Sequence, residues 1–226
     1  MRSYLGDLAD GGRFLGVEVI CHGVPSPGLW RRWLAHLEAP GGGEVRAVNF
    51  RSKATGWESY SVAYELASAG GGVSVRSVPH GDDWYMCAFL ANASLRASCL
   101  SCPFKRRCGS DLTLGDYWGI RRQHSEVLAE GGVSAVIANT GKGAMAIDRV
   151  RGSMVFGESS FEKVLAGNPS LARSAAPHVD RERFMDAVAS GMPIPDMMAR
   201  WSFAPTAIQR VKSSIKRTIK AVLRRS

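Results

Sequence analysis

The sequence predicts an α+β fold in which a central mixed sheet is covered by helices, with a cysteine-rich loop and a basic amphipathic helix at the C-terminus. Three observations predict this class. Between residues 45 and 78, runs of β-branched and aromatic residues alternate with glycine-containing turns, as in a β-meander. From Leu29 onwards, apolar residues recur at three- and four-residue steps, as in a helix. Short apolar runs at residues 17–20 and 134–139 indicate buried strands, and residues 112–114 indicate a further short strand.

The first half of the chain contains the meander and the helices around it. A strand at residues 17–20 leads into a loop at residues 21–27 (CHGVPSP). Ser26 and Pro27 then open a helix, because serine caps helix N-termini and proline fits the first turn. The remaining predicted elements here are strands at 45–50, 60–66 and 73–78 and a helix at 84–95.

The second half begins with the cysteine loop at residues 96–110. Strands are predicted at 112–114 and 134–139, and helices at 142–150 and 160–166. We expect one domain over residues 1–190, a linker at 191–205 and a tail helix at 206–226. In the tail, apolar residues at helical spacing face away from the basic residues.

The charge of the chain is concentrated in this tail. The formal net charge is +9, and residues 206–226 hold seven basic residues and no acidic one, which leaves +2 for the body. A near-neutral body argues against nucleic-acid binding. A basic amphipathic helix is suited to an anionic membrane surface or an acidic partner, and a plain solvated helix is the alternative. Since no apolar run reaches membrane-spanning length and no secretory signal is visible, we expect a cytoplasmic protein, with possible contact to the inner membrane face through the tail.

Three of the five cysteines lie within ten positions of each other. Cys99 and Cys102 form a CxxC pair, and Cys108 follows. Two thiolates at this spacing can bind one metal centre, so iron–sulfur, zinc and redox-active thiols all remain open. A further ligand must come from elsewhere: Cys108 is the near candidate and Cys21, at a strand end, the distant one. Cys87, in an apolar helix, is predicted to belong to the core.

Five blocks of sequence, in the same order, resemble the C-terminal domain of the coenzyme F420 hydrogenase/dehydrogenase beta-subunit family. The resemblance runs from about residue 4 to 190. The blocks are CHGVPSP at 21–27, NFRSK with GW at 49–57, LRASCLSC leading to SDLTLGDYWG at 95–119, GVS with NTGKG at 132–143, and NPS with RS at 168–174.

The resemblance implies an oxidoreductase with a flavin, usually FAD, and a 4Fe-4S cluster that exchange electrons. Relatives reduce a deazaflavin coenzyme or a chlorophyll precursor, and bacterial relatives often accompany polysaccharide-synthesis genes. Cluster cysteines of the family resemble Cys21, Cys99 and Cys102, and another lies in a Gly-Thr-Pro-Cys loop upstream of the region found here. We therefore expect an N-terminally truncated member that works with a ferredoxin-like or separately encoded partner, and in which Cys108 is the candidate substitute ligand.

Several residues are candidates for flavin contact, each with a plain structural alternative. Arg51 and Lys53 are suited to a flavin phosphate or to charge at the N1 side of the ring, unless they are solvated turn residues. Ser134, Asn139 and Thr140 are suited to a loop near a phosphate, unless they form an ordinary strand and turn. Trp57 and Trp118 offer stacking surfaces, although core packing is the simpler interpretation. Asp111 and Asp116 suit a proton relay or, more simply, capping and hydrogen bonding to the cysteine loop.

The sequence leads to two alternative hypotheses about function. The first is an electron-transferring flavin/iron–sulfur oxidoreductase domain, which requires Cys21 to lie close to the Cys99–Cys102 pair. The second is a non-catalytic binding or scaffold protein with a zinc-bound or metal-free cysteine loop, attached to a membrane or partner by its tail.

Overall fold

The computed structural model describes residues 6–9, 14–39, 43–68, 70–105, 109–127 and 131–206. The chain divides into two compact units, which are described separately. The first unit consists of Met1–Val24, Gly56–Glu58 and Arg96–Ala176, and the second of Pro25–Thr55, Ser59–Leu95 and Pro177–Ser226.

Strands and helices occur in both units, so the predicted α+β class is confirmed. The strands in the described residues are β1 (Val17–Val19), β2 (Glu44–Ser52), β3 (Ser61–Ala67), β4 (Val73–Pro79), β5 (Leu112–Asp116) and β6 (Ser134–Ala138). The α-helices there are α1 (Pro27–Leu37), α2 (Trp84–Leu90), α3 (Ala97–Leu100), α4 (Ile120–Gln123), α5 (Gly141–Val150), α6 (Phe161–Gly167), α7 (Arg181–Ala189) and α8 (Ile194–Arg200). Short 3-10 turns occur at Gly6–Ala9, Lys53–Thr55, Arg151–Ser153 and Pro169–Leu171.

The strands form two three-stranded sheets, one in each unit. In the first unit β5 is central, parallel to β1 and antiparallel to β6, which gives the predicted mixed sheet. In the second unit β2, β3 and β4 pair antiparallel in chain order. The predicted meander is thus confirmed, and it forms a sheet of its own because consecutive strands joined by short turns pair locally.

The core of the second unit is built on α1. Leu29, Trp33 and Leu37 lie on one face of this helix and are buried, as their four-residue spacing predicts. The Trp33 indole N–H donates to the Tyr64 hydroxyl (3.0 Å), which donates to the Asp83 carboxylate (2.7 Å). This chain of hydrogen bonds satisfies three polar groups inside an otherwise apolar core.

Side-chain caps begin several helices, and the cap at Ser26 lies where the sequence predicts it. Ser26 accepts a hydrogen bond from the Leu29 N–H (3.3 Å) at the start of α1. Asp83 does the same for the Met86 N–H (2.8 Å) at the start of α2. Each cap satisfies an amide that has no partner within its helix.

Residues 191–205, for which we expected a linker, contain α8. Met197 and Trp201 are buried, and the Trp84 indole N–H donates to the Trp201 carbonyl (2.8 Å). This segment is ordered because it completes the core of the second unit. The predicted tail helix falls, beyond residue 206, outside the described residues. In the described part of the chain, no helix is long and apolar enough to span a membrane.

Candidate functional site

The site region of the first unit starts where β1 ends. β1 forms at the predicted position, but the prediction that it is buried was wrong: Val17 and Val19 are 45% and 68% exposed, because β1 is an edge strand. The Ile20 N–H extends the pairing by donating to the Leu114 carbonyl (2.7 Å). The chain then leaves the sheet at Cys21, which is exposed, and enters the segment 21–24, called here the Cys21 loop.

Cys99 lies directly against the Cys21 loop. It belongs to the short helix α3 and is half-buried. The Val24 N–H donates to the Cys99 sulfur (3.2 Å), and the Arg96 N–H donates to the Val24 carbonyl (2.9 Å). Two sequence blocks that are 75 residues apart therefore meet at this sulfur.

A third segment, around the 3-10 turn Pro169–Leu171, joins the same region. The Cys102 N–H donates to the Ser174 hydroxyl (2.9 Å). The Lys105 ammonium donates to the Cys21 carbonyl (2.6 Å) and to the Ser170 carbonyl (2.7 Å). The Cys21 loop, the CxxC segment and the turn after α6 are thus linked by hydrogen bonds.

The structure brings into contact the segments that carry three of the predicted sulfur ligands. Cys21, Cys99 and Cys102 lie on segments that contact one another, whereas Cys108 is outside the described residues. Within the described ranges, no group of three or more His, Cys, Asp or Glu side chains is arranged to hold a metal ion. Cys87 is buried in α2 of the second unit, which confirms its predicted core role.

Asp111 links three other segments of the first unit. Its carboxylate, only 5% exposed, accepts hydrogen bonds from the Gly16 N–H (2.8 Å) and the Thr140 hydroxyl (2.8 Å), and it pairs with the Lys142 ammonium (3.0 Å). The Gly16 hydrogen bond and these further contacts lower the pKa of Asp111 to about 2. This carboxylate is an ionised structural anchor, which agrees with hydrogen bonding rather than with a proton relay.

The predicted phosphate-loop residues surround this anchor. Thr140 donates to Asp111 and accepts from the Gly143 N–H (3.1 Å), so it caps α5. The Asn139 amide donates to Ser110 (3.1 Å) and Thr113 (2.8 Å). Both side chains thus have intramolecular roles.

Ser134 lies apart from them, at the other end of β6. It is exposed and pairs with Asp116 of β5. Its predicted contact with a phosphate stays a prediction, as do those of Asn139 and Thr140.

Trp57 and Trp118 pack in the core of the first unit. Their rings stack with centroids 5.2 Å apart and planes 3° apart. The Trp57 indole N–H donates to Asp116 (3.2 Å), and Trp57 is 2% exposed. A side chain at Gly132 would meet the Trp57 ring, because a Cβ there would lie 2.7 Å from it. The simpler interpretation of Trp57, core packing, is therefore the one that the structure supports.

The other two predicted flavin residues belong to the second unit. The Arg51 guanidinium lies over the Tyr60 ring, 4.9 Å from its centroid. Lys53 is exposed at the start of the 3-10 turn Lys53–Thr55. Their contact with a flavin stays a prediction.

Lys105 also belongs to this region, and the sequence analysis did not single it out. A basic residue three positions after Cys102 is a local feature that could have marked it as a candidate. Its two carbonyl partners lie 84 and 65 residues away, and no sequence pattern marks a backbone acceptor.

One comparison with known proteins finds a match. The family described as the C terminus of the coenzyme F420 hydrogenase/dehydrogenase beta subunit matches residues 12–163, which is more than half of the 226 residues. The match includes the Cys21 loop, the CxxC segment, Asp111 and α5. No curated protein and no solved structure matches the chain.

Proposed function

Because this chain belongs to the family formed by the C-terminal domain of coenzyme F420 hydrogenase/dehydrogenase beta subunits, we propose that it is an electron-transferring oxidoreductase domain with a thiolate-bound iron–sulfur centre and a flavin. The observation that carries the proposal is the contact between the Cys99 sulfur and the Val24 N–H (3.2 Å). It joins the two sequence blocks that supply the candidate sulfur ligands. Backbone N–H donation to sulfur is one of the features that tune iron–sulfur centres.

Cysteine thiolates are the ligands that an iron–sulfur centre needs. The described residues contain fewer candidate thiolates than a 4Fe-4S cluster takes. Cys21, Cys99 and Cys102 would hold the centre through their thiolates, whereas a 4Fe-4S cluster takes four cysteine ligands. Within the chain, the candidate for the fourth ligand is Cys108, which lies outside the described residues. A ferredoxin-like or separately encoded partner is the other source. When bound, such a centre passes single electrons to or from a flavin.

The residues of the chain have distinct roles in this proposal. Lys105 and Ser174 hold the segments that carry the cysteines, and Asp111 holds β5 to α5. Arg51, Lys53, Ser134, Asn139 and Thr140 are proposed to contact FAD. Coenzyme F420 as electron acceptor and a link to polysaccharide synthesis rest on the family resemblance. Docking of residues 206–226 at an anionic membrane or a partner rests on the sequence.

The alternative is a binding or scaffold protein whose cysteine loop holds zinc or no metal. It needs fewer thiolates than a 4Fe-4S cluster, and Cys21, Cys99 and Cys102 lie in the described part of the chain. Two thiolates with two further ligands suit a tetrahedral zinc site.

The test is anaerobic reconstitution of the full-length protein with iron and sulfide, followed by absorption spectra and iron, sulfide, flavin and zinc analysis. The wild type is expected to develop broad visible absorption with matching iron and sulfide contents. Cys99→Ser and Cys102→Ser are expected to lose it, because each removes a thiolate.

The matched control is Cys87→Ala, which changes a cysteine buried in the second unit. It is expected to keep the wild-type spectrum. A wild type that stays colourless, or that takes up zinc in preference to iron, would contradict the proposal and support the alternative. A Cys108→Ser variant then shows whether the chain supplies its own additional ligand.

A further inference from the structure

Lys105 connects the Cys21 loop to the 3-10 turn Pro169–Leu171. Its ammonium lies 2.6 Å from the Cys21 carbonyl oxygen and 2.7 Å from the Ser170 carbonyl oxygen. We propose that Lys105 is a positioning residue that fixes the Cys21 loop against Cys99, and that it does so in the metal-free protein.

The two contacts of Lys105 are short and charge-assisted. An ammonium group has three N–H donors, and hydrogen bonds from a charged donor are stronger than those between neutral groups. Lys105 is half-buried, so the two carbonyl oxygens replace part of the hydration that its charge has lost. An apolar side chain of the same length cannot make these contacts.

The Cys21 loop is held at both ends. At its start, the Cys21 carbonyl is bound by Lys105. At its end, Val24 donates its N–H to the Cys99 sulfur and accepts the Arg96 N–H at its carbonyl. Without Lys105, the contacts of Val24 still hold the end of the loop on α3, but the start of the loop loses its hydrogen bond at the Cys21 carbonyl. We therefore expect the loop to open more often and to uncover the Cys99 sulfur.

The role of Lys105 toward a redox centre rests on the proposed function, but its role in loop position does not. If the centre is bound by Cys21 and Cys99, the loop position that Lys105 sets is also the ligand position. Preorganised ligands bind with less loss of conformational entropy.

The test measures the rates at which iodoacetamide alkylates each cysteine in metal-free, reduced, full-length protein, by peptide mass spectrometry. In Lys105→Met, the alkylation rate of Cys99 is expected to rise about tenfold, because the reaction follows the open fraction of the loop. Lys105→Arg is expected to restore most of the protection, since a guanidinium can also donate to two carbonyls.

Two controls separate loop opening from loss of fold or charge. Lys163→Met removes the same charge from an exposed position in the first unit and is expected to leave the Cys99 rate unchanged. Cys87 is buried in the second unit and is expected to stay unreactive in every variant. If Cys87 becomes reactive in Lys105→Met, that variant is replaced in the comparison by Lys105→Gln, which keeps a neutral hydrogen-bond donor.

Hydrogen exchange of the Val24 and Arg96 amides gives a second readout. Both amides are expected to be protected in the wild type and to exchange faster in Lys105→Met. Lys105→Arg is expected to restore their protection. An unchanged Cys99 rate in Lys105→Met, or a Val24 amide that is unprotected in the wild type, would overturn the proposal. Since these measurements need no cofactor, a reconstitution that fails would count against the proposed function and leave the role of Lys105 intact.

Discussion

Replacing Asp111 by alanine is expected to lower the free energy of unfolding by about 3 kcal/mol, because breaking a buried ion pair costs about 3–5 kcal/mol. The Asp111 carboxylate is 5% exposed and binds the Gly16 N–H, the Thr140 hydroxyl and the Lys142 ammonium. The lower end of the range applies since Lys142, with 26% of its side chain exposed, can regain hydration. Urea unfolding of the wild type and the variant measures the difference.

The matched control for this substitution is Asp148→Ala. Asp148 pairs with Arg151 at 3.5 Å, but its side chain is 68% exposed. Exposed pairs of this kind contribute about 0–1 kcal/mol. If Asp111→Ala proves no more destabilising than Asp148→Ala, Asp111 is not the anchor that its contacts indicate.

The same carboxylate makes stability depend on pH in a predictable direction. The pKa of Asp111 falls from its ordinary value of 3.8 to about 2 in the folded protein, with the Gly16 hydrogen bond as the main cause. A lowered folded-state pKa stabilises the protein above the unfolded pKa, and this contribution is lost as pH falls from about 4 to about 2. The wild type is expected to lose about 2 kcal/mol more than Asp111→Asn over this range. Parallel pH profiles for the two proteins would count against the assignment.

Replacing Gly167 by alanine is expected to lower the free energy of unfolding by about 3 kcal/mol or more. Overpacking costs about 1–3 kcal/mol even where side chains can move. A Cβ at Gly167 would lie 1.7 Å from the Trp118 carbonyl oxygen and 2.7 Å from its carbon. These are backbone atoms, so no rotamer change relieves the contact. Either α6 or the turn at Trp118 must shift.

Gly157→Ala is the control, because a Cβ at that position meets nothing within 4 Å. It is expected to change the free energy of unfolding by less than about 0.5 kcal/mol. Thermal or urea unfolding of both variants measures the comparison. Equal stability of Gly167→Ala and Gly157→Ala would show that α6 does not pack closely on the Trp118 backbone.

The elements that the sequence predicts well are those fixed by local interactions. Leu29, Trp33 and Leu37 form the buried face of α1, and Ser26 caps it, because the helical period and the cap depend on residues a few positions apart. The strands of the meander formed close to their predicted bounds for the same reason. Here local propensity and tertiary packing agree.

The features that the sequence did not predict depend on distant residues. Val19 belongs to an apolar run that predicts a buried strand, yet it is exposed in a strand at the edge of its sheet. Lys142 pairs with Asp111, and Gly143 leaves room for the Asp111 carbonyl. No local pattern around residues 141–143 indicates either contact.

For the candidate site, the sequence predicted the components but not how they are joined. The proximity of the Cys21 loop to Cys99 was expected, and the Val24 contact supports it. The partners of Lys105 could not be read from sequence, since a carbonyl oxygen is present at every residue.

The most direct test of the shared thiolate centre is iron X-ray absorption spectroscopy on the reconstituted wild type and on the Cys99→Ser/Cys102→Ser double variant. We predict that sulfur dominates the iron coordination of the wild type, with iron–iron scattering from a cluster, and that both signals disappear in the double variant. Coordination by oxygen and nitrogen alone in the wild type, or sulfur coordination that persists in the double variant, would contradict the account.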